Sequence, residues 1–236
     1  MLARRPQLVL CLITLLALIA TACSSARAAE ASRPNVILIM TDDQGCGDFG
    51  FMGNTVVKTP NLDAMAARSA QMTQFYVSPV CTPTRACLMT GRYNYRTRAI
   101  DTYIGRAMMD PAEVTIAEIL KPAGYVTGQF GKWHLGGGIG QPSDPLGGEG
   151  KYTDPILFHN NEEVAMEGYC TDIYFDAAFD FMQQAVDNDE NFFAYIATNA
   201  PHGPFPDVPE DLRKMSMALD LREGMAPGTS EKAYEK

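Results

Sequence analysis

The run Asn35-Val36-Ile37-Leu38-Ile39-Met40, followed at once by Thr41-Asp42-Asp43-Gln44-Gly45, decides the fold class. A short apolar run without polar alternation is the pattern of a parallel strand covered on both faces. The polar cluster then falls at that strand's C-terminal end. Residues 125–130 read as a second extended segment, and residues 191–198 as a third that leads into Asn199-Ala200-Pro201-His202. Helical patterns separate the strands. Thr59 reads as a cap with Pro60 at the first helical position, and Leu62, Met65, Ala66 and Ser69 as the buried stripe. Pro83 suits the first turn of a helix that runs through Leu88 and Met89 and stops at Gly91. Residues 114–121 place Ile116, Ile119 and Leu120 on one side, and residues 171–186 space Ile173, Phe175, Ala178, Phe179 and Met182 as a helix does. A short strand is expected at residues 72–77, and a Gly- and Pro-rich surface loop at 131–150. Strand alternating with helix predicts an α/β sheet with helices on both faces. Ligands in such sheets gather beyond the strands' C-terminal ends, where Asp42, Asp43 and His202 fall.

The 236 residues suffice for one large domain or two small ones. With 46% apolar and 20% charged residues, the chain is neither a disordered polyampholyte nor a multispan membrane protein. Nineteen Lys and Arg against 28 Asp and Glu give a net charge of -9, which excludes a general nucleic-acid binder. An anionic substrate must then be held by local cations or a metal. Arg4 and Arg5 precede an apolar run at residues 8–20, broken only by Thr14. That run is too short for a spanning helix of about 20 residues and matches a secretory h-region. Ala20-Thr21-Ala22-Cys23 resembles a bacterial lipobox, with Cys23 as the lipidated N-terminus, and Ala26-Arg27-Ala28 is a rival cleavage site. Residues 1–28 are therefore expected to be an export signal. The mature chain is expected to be periplasmic or a lipoprotein that touches the membrane through its lipid anchor alone. Losing three arginines and no acid takes the charge from -9 to -12. Cys46, Cys81, Cys87 and Cys170 remain, and an exported chain could pair some of them.

Asp42 and Asp43 repel each other unless a cation sits between them, and hard divalent ions prefer such oxygens. An ordinary acidic turn has the same sequence. Cys81 falls at a helix N-terminus, where unpaired N–H groups favour an anion. Arg85 lies about one turn further on and can reach back toward it. Cys81 is open to three readings here: a structural thiol, half of a disulfide, or a thiolate nucleophile.

The stretch Pro79-Val80-Cys81-Thr82-Pro83-Thr84-Arg85-Ala86-Cys87-Leu88-Met89-Thr90-Gly91 resembles the sulfatase signature Cys-x-Pro-x-Arg. A second sulfatase signature is matched by Gly124-Tyr125-Val126-Thr127-Gly128-Gln129-Phe130-Gly131-Lys132-Trp133-His134, with Phe130 where the family more often has a smaller residue. Residues 33–45 and Ala200-Pro201-His202-Gly203-Pro204 look like two further sulfatase elements, so the resemblance covers residues 33–206. It implies an alkaline-phosphatase-like fold with a mixed, largely parallel sheet. It also implies oxidation of Cys81 to Cα-formylglycine by a maturation enzyme.

By the same resemblance, the hydrated aldehyde at position 81 attacks sulfur with one hydroxyl and expels sulfate with the other, dividing one hard displacement into two steps. A cation, Ca2+ or Mg2+ in its place, held by Asp42, Asp43 and the group at position 81, polarises the sulfate oxygens. Arg85 stabilises the formylglycine oxyanion. Lys132 binds sulfate, His134 exchanges a proton with the diol, and His202 bonds the bridging oxygen or protonates the leaving group. Lys132 and His134, two apart, face the same way on an extended segment while Trp133 faces the other. His159 matches no motif and is read as structural; Tyr93, Tyr95 and Arg96 are read as surface packing rather than as the substrate entrance.

Sulfatases of this type supply a later Asp-Asn or Asp-His pair and a further Lys, and residues 207–236 read as a polar tail without them. The expectation is therefore the N-terminal portion of an arylsulfatase-like hydrolase with the C-terminal part missing, weak metal binding and impaired turnover. Its substrate would be a sulfated small molecule or glycan. Two rivals stay open: a phosphodiester or phosphonate monoester hydrolase with the same site, and a non-catalytic lipoprotein that keeps the fold.

Overall fold

The computed structural model describes residues 33–102, 106–136, 151–203 and 207–219. The expected export signal lies outside them. All elements below belong to the unit that begins at Val36.

Three parallel strands form the central sheet: β1 (Val36–Met40), β2 (Tyr125–Gly131) and β5 (Asn191–Ala197), in the order β1-β5-β2. β5 takes the middle position and is the one strand of the three buried on both faces, with Phe192 through Ala197 all buried. The register puts Met40, Ala197 and Gly131 in one row at the C-terminal edge. Between β2 and β5 the chain makes an antiparallel hairpin, β3 (Ile156–His159) and β4 (Glu162–Ala165), which the sequence reading did not anticipate.

Among the described residues, six α-helices accompany the strands: α1 (Pro60–Ala66), α2 (Cys81–Thr90), α3 (Asn94–Thr97), α4 (Ile116–Leu120), α5 (Cys170–Asp187) and α6 (Glu210–Met217). The main core joins Ala86 and Met89 of α2 to Phe193, Tyr195 and Ala197 of β5, with Ile116, Ala117 and Leu120 of α4 packed against it. On the other side, Ala185 and the partly buried Phe181 and Met182 of α5 meet Phe192, Ala194 and Phe130. Helices thus lie on both faces of a parallel sheet. α4 starts with a capping box in which Thr115 and Glu118 satisfy each other's backbone amides. Among the described residues, no helix is long and apolar enough to cross a membrane.

Three expectations need correction. Residues 72–77 form no strand and lie open, with Met72, Phe75, Tyr76 and Val77 all well exposed. An apolar run becomes a strand only where a partner edge accepts its backbone bonds, and none does here. Next, β1 is covered on one face only: Ile37 and Ile39 are 50% and 54% exposed. Finally, α1 buries Ala66 but leaves Leu62 and Met65 largely in solvent. Within the expected polar tail, α6 forms a helix without a buried residue.

Candidate functional site

Sequence-distant groups meet beyond the row Met40, Ala197 and Gly131. Backbone bonds stitch the three strand ends together there: Thr198 N donates to the Met40 carbonyl at 2.9 Å, Lys132 N to the Ala197 carbonyl at 2.8 Å, and Asp42 N to the Ala200 carbonyl at 3.3 Å. Gly131 is required at this crossing. Its φ is +94°, and a Cβ would stand 2.1 Å from the Ala197 carbonyl oxygen. Asp42, Asp43, Lys132, His134 and His202 all follow within five residues of the row.

Cys81 and Arg85 arrive from α2, whose N-terminal residue is Cys81 itself. Val80, the preceding residue, offers no side-chain cap, so the first-turn amides face the site without an internal acceptor. Thr84 Oγ1 donates to the Ser78 carbonyl at 2.8 Å and fixes the approach to Cys81. Cys81 is half-buried, and its Sγ lies 3.2 Å from His134 Nδ1. His134 reaches it through a left-handed backbone turn, φ 54°, while Trp133 and Leu135 on either side pack into the core. Burial, assisted by the positive charges of Lys132 and Arg85, pushes His134 down to about 4. At neutral pH its imidazole is uncharged and can exchange a proton with the group at position 81.

Arg85 is fully buried. One guanidinium nitrogen donates to the Lys132 carbonyl at 2.8 Å and to the Tyr195 hydroxyl at 3.3 Å, and the other lies 3.4 Å from Asp42 Oδ1. Lys132 Nζ contacts Asp42 Oδ2. One carboxylate therefore faces two enclosed cations, leaving a net positive charge beside Cys81. Tyr195 was not singled out from the sequence; the available signal was a hydroxyl in an otherwise apolar buried strand, which must find a partner.

Asp43 departs from its neighbour. It is exposed, adopts φ 60°, and its Oδ2 lies 3.6 Å from His202 Nε2. His202 Nδ1 contacts the Gly203 carbonyl. The expected Ca2+ shell does not fit these groups. Both Asp42 oxygens are taken by cationic nitrogens, and among the described residues no group of three or more His, Cys, Asp or Glu could hold an ion. A hard cation takes 6–8 oxygens. Arg85 and Lys132 face one of the adjacent carboxylates and His202 the other.

Other candidates fall elsewhere. Tyr93 and Tyr95 follow the far end of the ten-residue α2, roughly 15 Å along its axis from Cys81, and both stand largely in solvent rather than packed on the surface. His159 closes β3 and is exposed. All four described cysteines are free thiols.

The chain is similar in sequence and fold to known proteins. N-acetylglucosamine-6-O-sulfatase of Bacteroides thetaiotaomicron is 30% identical over 210 residues, 85% of this chain and 36% of that one. Human arylsulfatase A is 46% identical over 114 residues, 47% of this chain and 22% of that one. BT4656, solved in complex with its substrate D-glucosamine-2-N,6-O-disulfate, superposes with a TM-score of 0.69 at 27% identity, covering 79% of this chain and 38% of that one. Ps i-CgsB in complex with k-i-k-neocarrahexaose gives 0.68 at 28% identity, covering 82% and 51%. These neighbours carry the alkaline-phosphatase-like fold, of which this chain has a part. The chain spans only about a fifth to a third of the length of the two curated relatives. The family model for sulfatases matches residues 34–218, a span that contains every element of the site, and the chain belongs to the sulfatase family.

Proposed function

We propose that the protein is a sulfuric ester hydrolase whose nucleophile is made from Cys81. The observation that carries this reading is the meeting of Arg85 and Lys132 on Asp42, beside the Cys81–His134 pair, beyond the strand ends. A sulfate ester is a stable anion, so an attacking oxygen needs surrounding positive charge, and Arg85 and Lys132 bring it. Position 81 suits formylglycine: the side chain is half-buried, at a helix start, and beside an uncharged imidazole. When formed, the aldehyde supplies, in its hydrated state, both the attacking oxygen and the route by which sulfate leaves. His134 would take and return the proton of the group at 81. Asp42 would hold Arg85 and Lys132 in place, and His202, at the half-exposed rim, would protonate the departing alcohol.

A divalent cation recruited by Asp42 and Asp43 would need ligands from outside the described residues. Bound sugars in the structural neighbours support a sulfated glycan, or a smaller sulfate ester, as substrate. Maturation by a formylglycine-generating enzyme and export through residues 1–28, with or without a lipid on Cys23, complete the proposal.

The test is intact mass after co-expression with a formylglycine-generating enzyme. Replacing sulfur by oxygen with loss of two hydrogens lowers the mass of the Cys81 peptide by about 18 Da. Hydrolysis of an aryl sulfate should exceed release of the phenol from an aryl phosphodiester, and should vanish in Cys81→Ala. An unmodified thiol, or equal hydrolysis by the Cys81→Ala variant, overturns the reading.

A further inference from the structure

The turn that carries His202 is held from outside the sheet. Tyr152, 1% exposed, donates its hydroxyl to the His202 carbonyl oxygen. The amides of Tyr152 and Thr153 donate to one oxygen of Asp207 at 2.8 and 2.7 Å, and Thr153 Oγ1 donates to the Asp207 carbonyl at 2.7 Å. The short segment 152–153 thus grips the chain on both flanks of residues 203–206. It is itself anchored: Cys170 N donates to the Tyr152 carbonyl at 2.7 Å, and the Tyr152 ring stacks on Tyr169 with centroids 5.8 Å apart. Phe130 and Ala200 pack against the same cluster, which ties it to the end of β2 and to the residues just before His202.

We propose that Tyr152 is a positioning residue for His202, using Asp207 as its brace. The inference rests on the reading of His202 as a site residue. Among the described residues, His202 is tied to its own turn by its amide on the Asn199 carbonyl at 2.9 Å and by its ring on the Gly203 carbonyl. Both move with the turn. The Tyr152 hydroxyl is the tie to a separate, buried body, and so it sets where the imidazole stands relative to Asp43 and the strand row. A phenol suits the task because its ring is locked by burial while its hydroxyl reaches a backbone acceptor.

The test is Tyr152→Phe, which keeps the ring and removes the hydroxyl, followed by NMR of the imidazole signals. The chain has three histidines, so His134→Gln, His159→Gln and His202→Gln assign them. The expected result is a displaced or doubled His202 signal with His134 and His159 unmoved, and a melting temperature within a few degrees of the parent. Asp207→Asn, which weakens the brace without touching the ring, should move the same single signal by a smaller amount. An unchanged His202 signal in Tyr152→Phe overturns the proposal, as does a shift of all three imidazoles in both variants. The readout needs no turnover, so a parent protein that lacks sulfate-ester hydrolysis counts against the proposed function and leaves the clamp to stand or fall on the spectra.

Discussion

Asp42 and Asp43 are adjacent in sequence yet serve different surroundings: Asp42 is sealed between Arg85 and Lys132, whereas Asp43 turns outward to His202, 3.6 Å away. The left-handed φ of Asp43 produces the divergence by swinging its side chain off the strand direction.

The divergence predicts unequal mutational costs. Asp42→Ala strands two enclosed cations without a counter-charge and should lower stability by about 3–5 kcal/mol. Asp43→Ala removes an exposed charge and should lower it by less than about 1 kcal/mol. Urea unfolding measures both, and equal losses would show that Asp42 is not enclosed by its cations.

The depressed His134 value sets a pH dependence. Above pH 6.5 the imidazole is neutral in folded and unfolded chains and adds no slope. Between 6.5 and about 4 the unfolded chain takes up a proton that the folded chain refuses, so stability falls as pH falls. Below about 4 both states are protonated and the loss is complete. The urea midpoint should therefore drop from pH 7 to pH 4.5, and drop less steeply in His134→Gln.

Gly131→Ala places a methyl group against the Ala197 carbonyl in a left-handed backbone. The φ penalty alone is about 1–3 kcal/mol, and the overlap adds to it. The melting temperature should fall well below that of Gly136→Ala, where a Cβ meets nothing within 4 Å.

With no full shell among the described residues, Ca2+ should bind no tighter than about 1 mM, the weak end of natural sites. Ca2+ at that concentration should then raise the melting temperature by no more than about 2 °C, and a chelator should leave it unchanged. A rise of several degrees would mean that the described carboxylates hold the ion better than their geometry indicates.

Much of this was legible in the sequence because strong local signals agreed with the tertiary outcome. β1, β2 and β5 announce themselves as apolar runs, and α2 is bracketed by Pro83 and by Gly91 at φ 66°. The four motif segments lie close to the strand ends, so their convergence follows from a parallel sheet. Other features depended on partners that periodicity does not report. The β3–β4 hairpin has short strands, and its signal was the pair Asn160-Asn161, both at positive φ as a primed turn requires. Residues 72–77 have strand-like composition but no edge to pair with. Phe130, larger than the family's usual residue, is accommodated because it lies 5.5 Å from Phe181 of α5 in a tilted aromatic pair. The occupation of Asp42 by Arg85 and Lys132, and the roles of Tyr195 and Tyr152, required coordinates: each joins residues more than about 40 positions apart.

The open face of β1 also has a measurable consequence. Ile37→Thr with Ile39→Thr should raise the concentration at which the protein begins to scatter light, since an uncovered apolar edge invites self-association. An unaltered onset would show that association, if any, starts elsewhere.

The level row formed by Met40, Ala197 and Gly131 makes the reactive groups hostage to a single alignment. A slip of β5 by one position would exchange the side chains it presents to its two covered faces and, in the same movement, carry the imidazole of His202 away from Asp43. Loosening of the sheet should thus silence the centre before the helices melt, so that heat inactivation would precede the loss of helical circular dichroism.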